Sequence, residues 1–353
     1  MKVCLLGDTH FGVRGDSVVF HNYFEKFYRD VMFPYLKKHD INTVFQLGDL
    51  FDKKKNVNFL TLSKARSYFF DPLRDNGMKL IVNVGNHDTY FKHSNEISAP
   101  DLLLRDYDNV HVISDPKEYD MDGHKLLILP WVCNDNLEEV KTLLANTSAQ
   151  IGLGHLELYG FSMYKGVPNE RGMDPGMFSR LDMVFTGHFH HRSSSGNIHY
   201  VGTPYELTWS DYDDPRGFHI LDLDTREVTF IPNPYCIFHK IAYDDQDATL
   251  EDILDFDATV FTDCFVKVVA ITKNNPYAYE AFIKKIEDAG AIDVKSTDNA
   301  LMLELNDDEI VDVEDTLTLL RNVVAETSTT VPTADLEALM IELYAEASSM
   351  ERA

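Results

Sequence analysis

The first 231 residues alternate short apolar runs with turns or amphipathic stretches. Runs rich in β-branched and aromatic residues predict strands at Val3–Leu6, Thr43–Leu47, Lys79–Val84, Val110–Ile113, Lys125–Leu129, Gln150–Leu153, Met183–Phe185, His199–Val201, Phe218–Leu221 and Val228–Ile231. Between the early strands, Phe20–Lys38 and Leu60–Asn76 carry apolar residues at helical spacing and predict amphipathic helices. Strands and helices in alternation, then closely spaced strands, predict an α/β fold: a two-sheet sandwich flanked by helices.

Ile231-Pro232-Asn233-Pro234 discourages both helix and central strand, so a first domain is expected over 1–231. In 232–305 a strand (Cys264–Thr272), a helix (Pro276–Ala289, ended by Gly290) and a strand (Ile292–Lys295) predict a small α+β domain. The remainder, 306–353, opens with the acidic connector Asn306-Asp307-Asp308-Glu309. It then places Leu336, Leu339, Met340, Leu343, Tyr344 and Ala347 on one stripe of a helix over Thr333–Ser348. No internal repeat or low-complexity tract interrupts this order.

Composition narrows the function. Of 353 residues 44% are hydrophobic, enough to fill a core and too many for a disordered chain. The net charge of −26 is uneven: residues 1–231 hold 24 Lys+Arg against 32 Asp+Glu, and 232–353 hold 8 against 26. A protein that grips DNA unaided carries a basic footprint, and this chain has none. Any nucleic-acid role must account for that. Cys4, Cys133, Cys236 and Cys264 are far apart with no C-x-x-C pair, which reads as free thiols in a reducing cytoplasm. The N-terminal residues lack the features of a signal peptide, and no stretch is long enough to span a bilayer, so a soluble cytoplasmic protein is expected.

Five segments each follow a predicted strand and each end in metal-ligand chemistry: Gly7-Asp8-Thr9-His10, Gly48-Asp49, Gly85-Asn86-His87-Asp88, Gly154-His155 and Gly187-His188-Phe189-His190. A lone Asp-x-His or His-x-His is more often a cap or a solvated pair than a metal site. Five in succession at strand ends are a joint signal of a different order. Asp8, His10, Asp49, Asn86, His155, His188 and His190 offer mixed oxygen and nitrogen ligands from separate loops, without a cysteine, unlike a closed structural zinc site. Such a set suits two divalent ions acting on a phosphate ester. His191, next to the last motif, reads as exposed or as support for it. His21, His39, His93, His111, His124, His199, His219 and His239 have no motif around them and read as structural.

In this order the segments resemble the calcineurin-like metallophosphoesterase signature, D-x-H … G-D … G-N-H-D/E … G-H … G-H-x-H. Gly154–Phe161, Gly202-Thr203-Pro204-Tyr205 and Asp214-Pro215-Arg216-Gly217-Phe218 resemble more specifically the SbcD-type recombination and repair nucleases, above all their tailed-phage members. The resemblance implies that Asp8, His10 and His190 hold one metal, that Asn86, His155 and His188 hold the other, and that Asp49 bridges. It implies manganese, although the ligand set also admits magnesium, iron or zinc. His87 would act on the transition state or the leaving oxygen, with Asp88 orienting it. Asp52 stands where archaeal and eukaryotic relatives have histidine. The resemblance further implies a DNA nuclease subunit, a 3′-to-5′ double-strand exonuclease and single-strand endonuclease, working as a homodimer with an SbcC-type coiled-coil ATPase in a heterotetramer. It would act in the host cytoplasm if of phage origin. The domain over 232–305 would cap the site and select DNA. The stripe of Leu336, Leu339, Met340, Leu343 and Tyr344 would dock on the ATPase, and Arg14, Lys53, Lys54 and Lys55 are candidates for phosphate contact. The alternatives are a phosphoprotein or small-molecule phosphoesterase, or a non-catalytic scaffold for the ATPase.

Overall fold

The computed structural model describes residues 1–297 apart from 165, 166 and 248, with backbone alone at 164 and 167, together with Leu336 and Leu339. The chain divides into two compact units, Met1–Leu305 and Asn306–Ala353. Leu336 and Leu339 are helical, half-buried and exposed respectively. The rest of the expected docking stripe (Met340, Leu343, Tyr344) and the acidic connector lie outside the described residues. Among the described residues no helix is long and apolar enough to cross a membrane.

Two mixed six-stranded sheets form the body, as the sequence predicts. The first runs Val228–Pro232 (β14), Gly217–Asp222 (β13), Lys2–Leu6 (β1), Thr43–Gln46 (β2), Lys79–Asn83 (β3), Val110–Ile113 (β4), parallel from β1 to β4. The second runs Ser193–Ser195 (β11), Ile198–Tyr200 (β12), Met183–Gly187 (β10), Ile151–His155 (β7), His124–Leu129 (β6), Lys117–Met121 (β5), parallel from β12 to β6. Strand alternation divides the core. Val3, Leu5, Phe45, Ile81, Ile128, Leu153 and Phe185 meet in one cluster drawn from both sheets. Their neighbours Cys4, Leu6, Val44, Leu80 and Val82 face the opposite way, onto Phe24, Phe27, Tyr28, Phe69 and Phe70 of the helices. Leu127, Leu129 and Val184 cover the outer face of the second sheet with Val140 and Leu144 of helix Leu137–Asn146.

Each early helix contains a π-helical turn that periodicity does not reveal. Val18–Phe27 continues through Tyr28–Met32 into Phe33–Lys38, and Phe59–Ala65 through Arg66–Phe70 into Asp71–Asp75. Both wide turns end just ahead of a proline, Pro34 or Pro72. Proline offers no N–H and its ring presses on the carbonyl four residues back, and widening the preceding turn relieves that contact.

Some strands escape the apolar pattern. Strand β5 pairs with β6 across Asp122-Gly123, both at positive φ (51° and 87°), the turn that such a dipeptide favours. Its polar sequence Lys-Glu-Tyr-Asp-Met hides the alternation. A small hairpin, Ser162–Tyr164 (β8) with Val167–Pro168 (β9), and the all-serine β11 carry no clear apolar signal. Phe238–Asp244 (β15) is interrupted by His and Lys. It forms a parallel three-stranded sheet with Phe265–Thr272 (β16) and Asp293–Thr297 (β17), covered by helix Pro276–Asp288 through Tyr279, Phe282 and Ile286. Phe238 and Phe265 seat this sheet on Phe20 and Trp209 of the body. The connection is fastened by buried Glu206, whose Oε2 accepts the N–H groups of Ile237 (2.7 Å) and Phe238 (3.0 Å). Burial, offset in part by these donors, pushes the Glu206 carboxyl up to about 7.

Candidate metal centre

All five motif segments lie at the carboxyl ends of parallel strands. Asp8 and His10 follow β1, Asp49 follows β2, and Asn86, His87 and Asp88 follow β3. His155 ends β7, and His188 and His190 follow β10. Because β1, β2 and β3 adjoin in one sheet and β7 and β10 in the other, the loops of two sheets converge at one edge of the sandwich. Crevices at strand carboxyl ends are where open α/β sheets bind ligands.

The seven expected ligands come together in two adjoining groups. Asp8, His10 and His190 form one, with His10 Nε2 3.0 Å from His190 Nε2 and Asp8 3.8 Å from His190. Asp49, His155 and His188 form the other. Asn86 joins it, its Oδ1 lying 2.9 Å from His155 Nε2 and 3.0 Å from His188 Nδ1. Asp49 reaches both groups: its Oδ2 is 3.3 Å from His155 Nε2 and 3.9 Å from His10 Nε2. That is the placement a bridging carboxylate requires.

The donor chemistry fits a cation. His155 Nδ1 is 2.8 Å from the Leu47 carbonyl, which can only accept, so Nδ1 carries the hydrogen and Nε2 presents its lone pair. That lone pair faces Asn86 Oδ1 and Asp49 Oδ2, which are acceptors too. Three acceptors so close require a cation or extra protons between them. Without a cation, protons would have to take that part. Burial opposes charge on His10 and His155, but Asp52, Asp49 and Asp8 around the first, and Asp49 and Asp8 around the second, outweigh it and push both up to about 9. Burial and the charge on His155 hold His188 down to about 3, and burial with His10 and Arg216 depresses His190. Burial and Asp49 lift Asp8 to about 6 against the pull of His155.

The backbone is strained to make this convergence. His10 (φ 43°), Asp49 (φ 53°) and His188 (φ 89°) all occupy the left-handed region, at about 1–3 kcal/mol each. Gly48 (φ 101°) lies so close to His155 that a Cβ there would fall 2.2 Å from its Nδ1, and one on Gly85 would fall 2.2 Å from Asp49 Oδ1. The glycines are therefore needed for room beside the ligands as well as for the turn.

The structure corrects the part expected of Asp88. Its carboxylate is fully buried and accepts the main-chain N–H groups of Leu50, Phe51 and Gly85, at 2.9–3.2 Å. It staples the Asp49 loop to the Asn86 loop. The His87 ring bonds elsewhere: its Nδ1 donates to the Asp52 carbonyl at 2.6 Å. Alanine at Asp88 would strand three buried donors, and we expect a loss of at least about 3 kcal/mol in denaturant unfolding.

Other candidates are placed as follows. Lys53 is paired with Asp16 at 2.6 Å, Lys54 lies close enough to His188 to lower its proton affinity, and Lys55 sits over the Tyr90 ring. Arg14, also left-handed, donates from Nε to the Leu207 carbonyl. His191 bonds Asp214 at 2.8 Å, consistent with a supporting place. Trp131 belongs to no motif and escapes the sequence reading, yet its ring stands 5.2 Å from His188 and 6.0 Å from His155. Its position just after β6, beside β7, is the one available signal. Asp52, to which the sequence assigns no role, places its Oδ1 3.3 Å from His10 Nδ1.

The calcineurin-like phosphoesterase family profile matches residues 1–192, which include every one of these candidate ligands. The chain belongs to the calcineurin-like phosphoesterase family. Within it, the chain stands with the SbcD-type nuclease subunits. It is 33% identical to exonuclease subunit 1 of Enterobacteria phage T4, across 99% of this chain and 100% of the relative. Shorter matches reach the SbcD component of the SbcCD nuclease of Staphylococcus epidermidis, 29% identical over 28% of this chain and 29% of the relative. The corresponding protein of Staphylococcus saprophyticus is 23% identical over 51% and 46%.

Proposed function

We propose that this chain hydrolyses DNA phosphodiesters at a two-metal centre, as the nuclease subunit of a complex with an SbcC-type ATPase. The observation that carries the reading is Asp49, set between two groups of buried ligands. Asp8, His10 and His190 would hold one divalent ion and Asn86, His155 and His188 the other, with Asp49 shared. Manganese is our choice among the ions that this mixed set accepts. When bound, such a pair neutralises phosphoryl oxygens and lowers the pKa of water.

The chain's own residues do the rest. His87, with Nδ1 committed to the Asp52 carbonyl, offers Nε2 to the transition state or to the leaving 3′ oxygen. Asp88 keeps the loops of Asp49 and Asn86 in register. Lys54 and Lys55 are our candidates for backbone phosphates, ahead of Lys53, whose charge is met by Asp16. The acidic composition of 232–353 leaves most of the DNA track to the ATPase, with the stripe containing Leu336 and Leu339 docking on it. We further propose 3′-to-5′ exonuclease action on duplex ends, endonuclease action on single strands, and a homodimer within the heterotetramer. The small sheet of β15, β16 and β17 would cap the site.

The deciding comparison is end-labelled duplex DNA against a phosphopeptide, each with the chain and Mn²⁺. Cleavage of DNA alone supports the nuclease. DNA left intact even with the ATPase and ATP would sink it, and dephosphorylation of the peptide would redirect the site to phosphoproteins.

Metal affinity should also depend on pH. His10 and His155 are raised to about 9 in the metal-free protein, so below that pH an incoming ion must displace their protons. Affinity should therefore rise with pH up to about 9. Calorimetry in buffers of different ionisation enthalpy should register proton release at pH 7. Release of none would contradict this protonation state.

A further inference from the structure

Arg216 lies outside the ligand motifs and is buried, only 6% exposed. Its Nη2 donates to Asp211 Oδ1 at 2.8 Å and to Asp214 Oδ2 at 2.7 Å. Its Nη1 donates to Thr203 Oγ1 at 2.7 Å and to the main-chain oxygen of His190. That oxygen also receives the Thr203 N–H at 3.2 Å, and Gly202 packs so near that a Cβ there would lie 2.8 Å from it. Asp214 in turn accepts from His191 Nδ1. One network thus grips two consecutive residues, His190 by its carbonyl and His191 by its ring. Its far side is anchored: Asp211 accepts the N–H groups of Leu207 and Thr208, and the Arg216 carbonyl accepts that of Asn233.

Stability alone is a poor reason for this arrangement, because a buried ion cluster is often no better than apolar residues of the same volume. The adjoining loop supplies a reason. His188 sits at φ 89°, and a strained loop keeps its shape only when its surroundings over-determine it. His190 must present Nε2 to His10 and Asp8 from the end of that loop.

We infer that Arg216 is a positioning residue of the metal centre: braced by Asp211 and Asp214, it fixes the main chain at His190 so that the imidazole completes the group of Asp8 and His10. The inference rests on the two-metal reading above. Only a planar fork can serve these four acceptors together; lysine keeps the charge but places all its donors on one nitrogen.

The test is Mn²⁺ titration of the full chain, wild type, Arg216→Lys and Asp214→Asn, followed by calorimetry and electron paramagnetic resonance, with circular dichroism to establish folding. The wild type should bind two ions with a spin-coupled signal. Arg216→Lys should keep the ion of Asn86, His155 and His188 and weaken the other by about 10–100-fold, the usual effect of removing support behind a ligand. The coupled signal should fade in step, and kcat should fall with KM for DNA unchanged. Asp214→Asn should produce a smaller loss at the same ion. A folded Arg216→Lys protein that binds both ions as wild type does would overturn the inference. If that variant does not fold, wild-type binding of both ions by Asp214→Asn overturns it equally. A wild type that never binds a pair of ions would instead bring down the two-metal reading, and this inference with it.

Discussion

Asparagine in place of His87 is expected to lower kcat on duplex DNA by about 10²–10⁴-fold while leaving two metals bound, the usual contribution of a positioned acid or base. The His87 ring belongs to neither of the two groups that Asp49 links, although it stands with His10 and Asp52 in a third cluster of possible ligand atoms. What ties it to the site is its main chain, whose N–H donates to Asp49 Oδ1 at 2.7 Å, and asparagine keeps that bond. Nδ1 is occupied by the Asp52 carbonyl, so only Nε2 is left to meet a substrate. End-labelled cleavage together with elemental analysis separates the outcomes. Loss of metal along with activity would make His87 a ligand, and full activity would remove it from the chemistry.

Asparagine in place of Asp49 should do more damage. Asp49 is buried, and although burial works against its charge, His155 and His87 hold its carboxyl well below the ordinary carboxylate range. It is therefore an anion ready to be shared. The Asp49→Asn change would keep the shape and lose that charge, so at most one metal should remain at micromolar Mn²⁺. Two-metal stabilisation is worth several kcal/mol, so cleavage should fall by about 10³-fold or more. Mn²⁺ stoichiometry and cleavage rate measured on the same preparation decide it. Retention of both ions would remove Asp49 from the bridging place.

The site is more legible in the sequence than the fold around it. All seven candidate ligands can be read because strand, glycine and polar residue recur as one local pattern, and the structure brings the seven side chains together. Strands buried on both faces, such as Thr43–Gln46, are legible for a similar reason, being locally rich in apolar residues. Legibility fails where information is not local. Polar β5 is a strand because β6 lies beside it, and β11 because β12 does. Asp88 looks in sequence like a partner for its neighbour His87. Its bonds to Leu50 and Phe51 depend on β2 and β3 being adjacent, which no spacing reveals. Arg216 stands out only as part of a family segment, because the His190 carbonyl it holds is 26 residues away.

The strand order also bears on the chain during synthesis. Strand β1, made before the other strands of both sheets, lies between β2 and β13. Asp8 precedes the rest of its group, which stays open until His190 has been made, and β1 lacks its antiparallel neighbour until Asp222 has been. At about 5–20 residues per second, that leaves an interval of some tens of seconds at the slow end in which the nascent segment carries carboxylates and imidazoles with nothing to close upon. Such long-range pairing also folds slowly. A fragment broken off before His188 would lack two of the seven candidate ligands, and the groups around Asp8 and Asp49 would both stay incomplete.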